Sequence, residues 1–272
     1  MPNSTLPLIL EPSELEKHLG DKNLLIVDLS KDETYQQAHI PGAVHLQYPR
    51  IVRIEKPVMG LLPDNATLSQ VLSSIGMSND THVVAYDDEG GGKACRLLWT
   101  LEVLGHQHFS LLNGGLHAWS NEGHPLDNQT VAITQGQYDA HAGSTAIVDM
   151  QYVLENLEKP DLVLLDSRTV QEYSGEKCFA NRGGHIPHAI NLDWMLTMDQ
   201  GRNLRLLPDA QLEQMLNDLG ITDDKEVILY CQTHHRSSHT YILLKHLGYH
   251  NIKGYPGAWS EWGNRTDTPV ER

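Results

Sequence analysis

The chain is poor in cysteine and in basic side chains, and it has no long apolar run. Each shortage removes a class of protein. Three cysteines among 272 residues cannot build a disulfide framework, and the count is odd. That usage fits a reducing cytoplasm. Lys and Arg number 20 against 35 Asp and Glu, a formal net charge of −15. Nucleic acid and anionic membrane surfaces both require a basic footprint, so neither is an expected partner. No apolar stretch approaches the roughly 20 residues of a transmembrane helix. Met1 to Leu10, interrupted by Pro2 and Pro7, lacks the basic start and long apolar centre of a signal peptide. What remains, 40% hydrophobic and 20% charged, is ordinary globular composition at a length suited to one large or two modest domains. An anionic substrate would need a local cationic site against this acidic background.

The strongest organising signal is an internal duplication. Val27-Asp28 followed by His39-Ile40-Pro41-Gly42-Ala43 returns as Leu165-Asp166 followed by His185-Ile186-Pro187-His188-Ala189. Leu61-Leu62-Pro63-Asp64 returns as Leu206-Leu207-Pro208-Asp209, and Tyr86 returns as Tyr230. Gly114 with Trp119 matches Gly257 with Trp262. Matches of Gly, Pro and Trp in one order, at about half the chain length, mark a duplicated domain; solenoid repeats have periods of roughly 20–50 residues. A polar stretch over 127–145 reads as a linker between a first domain at 1–126 and a second at 146–272.

Each copy alternates short apolar runs with helical patterns. Leu24 to Val27, Val83 to Tyr86, Leu162 to Leu165 and Val227 to Tyr230 predict buried strands. Leu68 to Ile75, Leu97 to Leu104, Leu212 to Leu219 and Tyr241 to Leu247 predict helices, each followed by a glycine suited to a C-terminal cap. The fold class is therefore α/β, a parallel sheet flanked by helices on both faces, once per copy. Sites in such sheets form beyond the C-terminal ends of the strands.

At that place in the second copy stands Cys231-Gln232-Thr233-His234-His235-Arg236, ahead of a helix. Free N–H groups and the helix dipole favour an anion there, and a thiolate is one. The thiolate is the nucleophilic form of cysteine, and this setting lowers its pKa. The four residues between Cys231 and Arg236 can curl into a cradle of backbone donors, which Arg236 would close while stabilising negative charge. The bland alternative is a small buried hydrophobe, since free cysteine is among the most buried residue types. The first copy supplies an internal control. Asp87 falls opposite Cys231 in the acidic loop Asp87-Asp88-Glu89, so the first domain should be catalytically silent. Cys95, further along, reads as core.

A second contrast lies in loop length. Asp28 to His39 spans 11 residues, whereas Asp166 to His185 spans 19. The added segment, Ser174 to Arg182, brings Cys178 and Arg182. It points either to substrate contact or to a surface loop without a role. Cys178 itself is needed by no step and reads as an exposed or half-exposed thiol.

The repeat, Asp166-Ser167-Arg168, Gly184-His185-Ile186-Pro187, the Cys231-to-Arg236 loop and Gly257-Ala258-Trp259-Ser260-Glu261-Trp262 together resemble the rhodanese family over nearly the whole chain. The loop looks like that of bacterial tandem rhodaneses, which resemble thiosulfate:cyanide sulfurtransferase. The resemblance implies two rhodanese-like domains and an active cysteine in the second, with an acidic residue replacing it in the first. It also implies a double displacement. The Cys231 thiolate takes the outer sulfur of thiosulfate as a persulfide, and cyanide, a cellular thiol or an acceptor protein removes it. No cofactor and no metal are implied, and a monomer is the simplest expectation. Vertebrate-type members carry Arg and Lys after the cysteine, where this chain has Gln232 and Thr233; mercaptopyruvate-type members carry a Gly-rich loop, also absent. Charge for thiosulfate must then come from Arg236, Arg168 and Arg182, with His234 and His235 as tunable donors. Arg168 has a rival role in an internal salt bridge. Trp194 lines the pocket mouth or packs in the interior. Asp166 is expected to orient neighbouring loops.

Three alternatives remain beside this one. Cysteine phosphatases and arsenate reductases close a similar loop with Arg, but around five intervening residues rather than the four found here. A zinc site on Cys231, His234, His235 and His239 has plausible spacing, although a metal would quench the thiolate. A sulfur-relay module would use the same persulfide and differ only in its acceptor.

Overall fold

The computed structural model describes residues 6–141, 143 and 145–272. The expectation placed on Met1 to Leu10 falls partly on residues 1–5, and that on the linker partly on 142 and 144, outside the described residues. The chain divides into two compact units that are not contiguous in sequence. The first comprises Met1–Ile51, Pro63–Ser144 and Asp199–Leu206; the second comprises Val52–Leu62, Thr145–Met198 and Leu207–Arg272.

In the first unit, Leu24–Asp28 and His82–Tyr86 form the middle of a five-stranded sheet. Phe109–Leu112 and then Ile9–Leu10 extend it on one side, and Val44–His45 on the other, all parallel. The second unit repeats the plan. Leu162–Asp166 pairs with Glu226–Tyr230, flanked by Ile252–Gly254 and Ile190–Asn191, again all parallel. The α/β architecture with one parallel sheet per copy, read from the strand and helix patterning, is the one observed. These strands are near-continuous apolar runs because parallel sheets are covered on both faces.

The duplicated residues do duplicated work. Tyr86 accepts from the Ile40 N–H at 3.1 Å and Tyr230 from the Ile186 N–H at 3.2 Å, so each central strand is tied to the His-Ile-Pro segment. Trp119 and Trp262 are both fully buried, and their indoles donate to the Pro125 and Pro269 carbonyls at 2.6 and 2.7 Å. Truncating a tryptophan packed in this way costs about 3–5 kcal/mol.

The predicted helices are present, and each begins earlier than its apolar stretch. Leu97 to Leu104 belongs to Gly92–Val103, and Tyr241 to Leu247 belongs to Arg236–His246. Gly105 and Gly248 follow these two helices at φ of +76° and +88°, the left-handed conformation in which glycine carries no Cβ penalty. In Arg236–His246 the extra first turn holds Ser237, Ser238, His239 and Thr240, all polar and all buried. That turn faces the candidate site.

Among the described residues no helix is long and apolar enough to cross a membrane. Among them, too, no three His, Cys, Asp or Glu side chains are grouped so as to hold a metal ion. Cys231, His234, His235 and His239 therefore do not converge on a common centre.

Candidate active site

Cys231 directly follows the strand Glu226–Tyr230, and Arg236 opens the next helix. Two bonds pin the outside of the intervening loop. The Trp259 N–H donates to the Cys231 carbonyl and the Ser260 N–H to the Gln232 carbonyl, each at 2.9 Å. With carbonyls drawn outward, amides are free to point inward. The Cys231 sulfur accepts from the N–H groups of Thr233 and Ser237 and from the Ser237 hydroxyl.

The curl depends on His234, which holds a φ of +53°. A non-glycine residue there is disfavoured by about 1–2 kcal/mol, and local bonds hold it in place. Ser238 Oγ donates to the His234 carbonyl at 2.6 Å, and His234 Nδ1 lies 2.8 Å from Ser237 Oγ. The Ser237 hydroxyl is thus in contact with both the His234 ring and the sulfur it helps to stabilise. A short run of polar groups therefore links the buried His234 ring through Ser237 to Cys231.

Cys231 is fully buried. Burial by itself raises a thiol pKa, but the Arg236 charge and the bonds from Ser237 and Thr233 outweigh it, leaving this thiol below its ordinary value. A lowered pKa on a fully buried cysteine requires built-in stabilisation of the anion.

Arg236 does not stand alone. Its Nη1 and Nη2 meet Glu172 Oε2 and Oε1 at 2.7 and 2.8 Å, a bidentate pair. Glu172 is only 3% exposed, and it also closes a capping box with Thr169 at the start of the helix Val170–Ser174. Although burial raises a carboxyl, the Arg236 guanidinium and Thr169 hold Glu172 at about 2. Arg236 is correspondingly raised: burial opposes its charge, but Glu172 and the Cys231 thiolate favour it. One guanidinium is therefore held by a buried carboxylate while its charge acts on the Cys231 sulfur.

The other named residues fall into two groups. Gln232, Thr233 and His235 lie half-buried on the loop. Gln232 Nε2 donates to the Phe179 carbonyl at 3.3 Å, so the long segment after Asp166 does reach the loop. Trp194 is buried, its ring 6.2 Å from that of His235 and 5.4 Å edge-on to that of His239. His239 is buried deeply enough to be held near 4, hence neutral. Arg168 and Arg182 are engaged by protein. Arg168, buried, grips Asp166 through Nε at 2.9 Å and Nη2 at 2.5 Å, donates to the Gly184 carbonyl at 2.8 Å, and lies 4.5 Å from the Trp259 ring centre. Arg182 donates from Nη1 to the Thr268 carbonyl at 2.7 Å, and from Nη2 to the Trp262 carbonyl at 2.8 Å and to Thr268 Oγ1. Cys178 is exposed, with its thiol 3.0 Å from the Ala180 carbonyl.

The first unit shows the same loop carrying a different anion. Asp87 is fully buried, and its carboxylate accepts from Glu89 N at 3.0 Å, Gly91 N at 2.8 Å and Ala94 N at 3.0 Å. The cradle of amides is filled by a carboxylate, and Gly92 stands where the second unit has Arg236. Cys95 is buried in the following helix and its thiol is pushed well up, first by burial and then by Asp87.

Sequence reasoning missed three contributors. Glu172 had a visible signal, the Thr-x-x-Glu capping pattern, but nothing tied it to an arginine 64 residues away. Ser237 falls between Arg236 and the helix expected from Tyr241, and nothing in its type tied it to the sulfur. The hairpin Arg53–Glu55 with Val58–Leu61 lies in the first half of the chain yet belongs to the second unit. There Gly60 packs so closely on the loop that a Cβ on it would lie 2.3 Å from the Thr233 carbonyl oxygen.

A rhodanese-like domain profile matches residues 11–122 and again 149–265. The chain is 44% identical over 268 residues to a thiosulfate sulfurtransferase of Pseudomonas aeruginosa, and 42% identical over 268 residues to one of Azotobacter vinelandii, in each case covering 98% of both chains. Among solved structures it resembles the anaerobic ergothioneine biosynthesis enzyme of Chlorobium limicola, with a TM-score of 0.83 at 22% identity over 92% of this chain. The chain spans 64% of that enzyme's length, and this likeness is one of fold.

Proposed function

The chain belongs to the rhodanese family, and from that we propose that it is a thiosulfate sulfurtransferase working by double displacement through a persulfide on Cys231. The observation that carries this reading is the set of two amides and a hydroxyl donating to the sulfur beside the Arg236–Glu172 pair.

In the first half-reaction the Cys231 thiolate attacks the outer sulfur of thiosulfate. A new S–S bond forms, the old one breaks, and sulfite departs with the bonding electron pair. The terminal sulfur of the resulting persulfide carries the negative charge. In the second half-reaction cyanide or a thiolate attacks that terminal sulfur, and the electron pair returns to Cys231. The amides of Thr233 and Ser237 are already aimed at Cys231 Sγ, so the charge that leaves it in the first half-reaction and returns to it in the second meets donors in place, with little reorganisation. Arg236 supplies positive charge, and Glu172 fixes its direction. Gln232, Thr233, His234 and His235 form the loop that shapes the mouth, with Trp194 beside His235. Arg168, paired with Asp166, and Arg182 hold the surrounding walls, and the charge of Arg182, which meets only neutral acceptors, favours approach of the thiosulfate dianion. A ring closed over four residues fits one sulfur atom better than a tetrahedral phosphate. The first domain, with Asp87 in its cradle, has no nucleophile to offer. We place the enzyme as a monomer in a reducing cytoplasm, where Cys178 and Cys231 remain thiols.

Intact mass before and after thiosulfate tests the reading. One added sulfur atom on the native chain, and none on Cys231→Ala, is the expected result. A Cys231→Ala protein that still forms thiocyanate from thiosulfate and cyanide would refute it.

A further inference from the structure

We infer that the rim around Cys231 is a docking surface for an acceptor protein that presents a cysteine thiol from an apolar patch. The inference deepens the function proposed above and rests on its Cys231 persulfide.

Seven large hydrophobic side chains are exposed among the described residues, and five lie in the second unit: Ile54, Met59, Val170, Phe179 and Leu196. These five sit on four segments, and every one of those segments touches the Cys231 loop or its helix. The hairpin with Ile54 and Met59 meets the loop through Gly60, and Met59 N donates to Ser260 Oγ at 3.1 Å, the residue whose N–H holds the Gln232 carbonyl. Val170 begins the short helix whose Glu172 clamps Arg236. Phe179 lends its carbonyl to Gln232. Leu196 shares a helical turn with Trp194, which packs on His235. Exposed apolar residues scattered singly need no explanation, but a set gathered around one nucleophile does.

The two small reactants do not account for it. Thiosulfate and cyanide are anions, and neither gains from contact with Phe, Met or Leu. A protein acceptor does, because apolar and aromatic groups form the centre of such interfaces. Charge agrees. The chain as a whole carries −15, yet Arg53, Lys56 and Lys177 on the rim segments offset their acidic neighbours. Lys177 lies with its ammonium 4.9 Å from the Phe179 ring centre. The rim is thus close to neutral on an acidic molecule, so a partner that would be repelled elsewhere can land here. Reach agrees as well. Cys231 is buried, and a persulfide places the reactive atom about 2 Å beyond Sγ, one S–S bond length. A cysteine projecting from a docked surface can meet it there. The step needs no added oxidant. The acceptor thiol loses its proton to solvent, its sulfur bonds the terminal sulfur, and the electrons of the broken S–S bond return to Cys231.

The test uses full-length protein loaded with thiosulfate and freed of excess donor. Acceptors are cyanide, a short peptide with one cysteine flanked by leucines, and the same peptide with the leucines replaced by serines. The native chain should pass sulfur to the leucine peptide about tenfold faster than to the serine peptide. The triple variant Met59→Ser, Phe179→Ser, Leu196→Ser should lose that preference and keep its rate with cyanide, which also reports that it is folded. The single variant Phe179→Ser should lose part of the preference. Equal rates for the two peptides with the native chain, or an undiminished preference in the triple variant, would overturn the inference and leave the persulfide mechanism intact. Failure to load sulfur at all would overturn both. Self-association of the native chain that the triple variant lacks would assign the surface to a second copy instead.

Discussion

Replacing Glu172 with Gln removes one charge from the site and little of its shape. In the native chain this carboxyl titrates at about 2 against an ordinary 4.5, a gap worth about 3 kcal/mol of folding stability at neutral pH. The side chain is only 3% exposed, so solvent screening removes little of that figure. An independent argument gives a similar size, since removing one partner of a buried pair costs about 3–5 kcal/mol. Gln still offers one acceptor to Arg236, so we expect about 2–3 kcal/mol, read as a lower urea midpoint with an unchanged slope. The chemical consequence is separate. Arg236 favours the Cys231 thiolate, and Glu172 keeps its guanidinium in place. Once released, the arginine no longer holds its direction, and the thiol pKa should rise by about one, leaving roughly tenfold less thiolate below the midpoint. The assay is the rate of Cys231 alkylation against pH, with Cys178→Ser as background to silence the exposed thiol. An alkylation midpoint that stays put while stability falls would reduce Glu172 to a structural partner. A midpoint that moves down would show that the carboxylate's own field matters more than the bracing of Arg236. Either result refutes the reasoning.

Two further outcomes follow. Gly60→Ala would place a Cβ 2.3 Å from the Thr233 carbonyl and 2.5 Å from that of Pro256, both main chain, so about 1–3 kcal/mol should be lost in urea unfolding together with sulfur transfer. Native stability and turnover in that variant would contradict the packing described. Glu226 is likewise held at about 2: burial raises it, but Lys253, Tyr152 and Lys159 bind the ionised form more strongly. For Glu172 and Glu226 the folded pKa lies below the unfolded one, so their contribution is present above about pH 4.5 and disappears as pH falls through 2. Urea midpoints should decline across that window, and less steeply in Glu226→Gln; equal slopes would refute the assignment.

How much of this was readable beforehand depended on the range of the interaction. The sheet strands and the glycine caps are local patterns, and they stand where patterning placed them. The duplication was legible because Tyr86 and Tyr230, or Trp119 and Trp262, keep identity as well as spacing. Helix starts were misjudged for a physical reason. Ser237 to Thr240 are polar yet buried, and a rule that equates polar with exposed stops short of them. The position of Cys231 followed from strand-end logic, but its arginine's partner did not, because Glu172 looks like an ordinary N-terminal helix acid until the fold brings it to Arg236. Arg168 offered both a structural and a substrate role on paper; the buried grip on Asp166 is visible only once Trp259 and Gly184 close around it.

The strand pair Val52–Leu62 has a historical implication. Encoded in the copy without a nucleophile, it folds as part of the unit that has one, while Asp199–Leu206 makes the opposite trade. After such an exchange the first half cannot simply be deleted, because an offspring gene starting near residue 146 would encode Cys231 without the strand that backs its loop. Retention of the first copy then follows from the fold of the second, whatever the first does by itself.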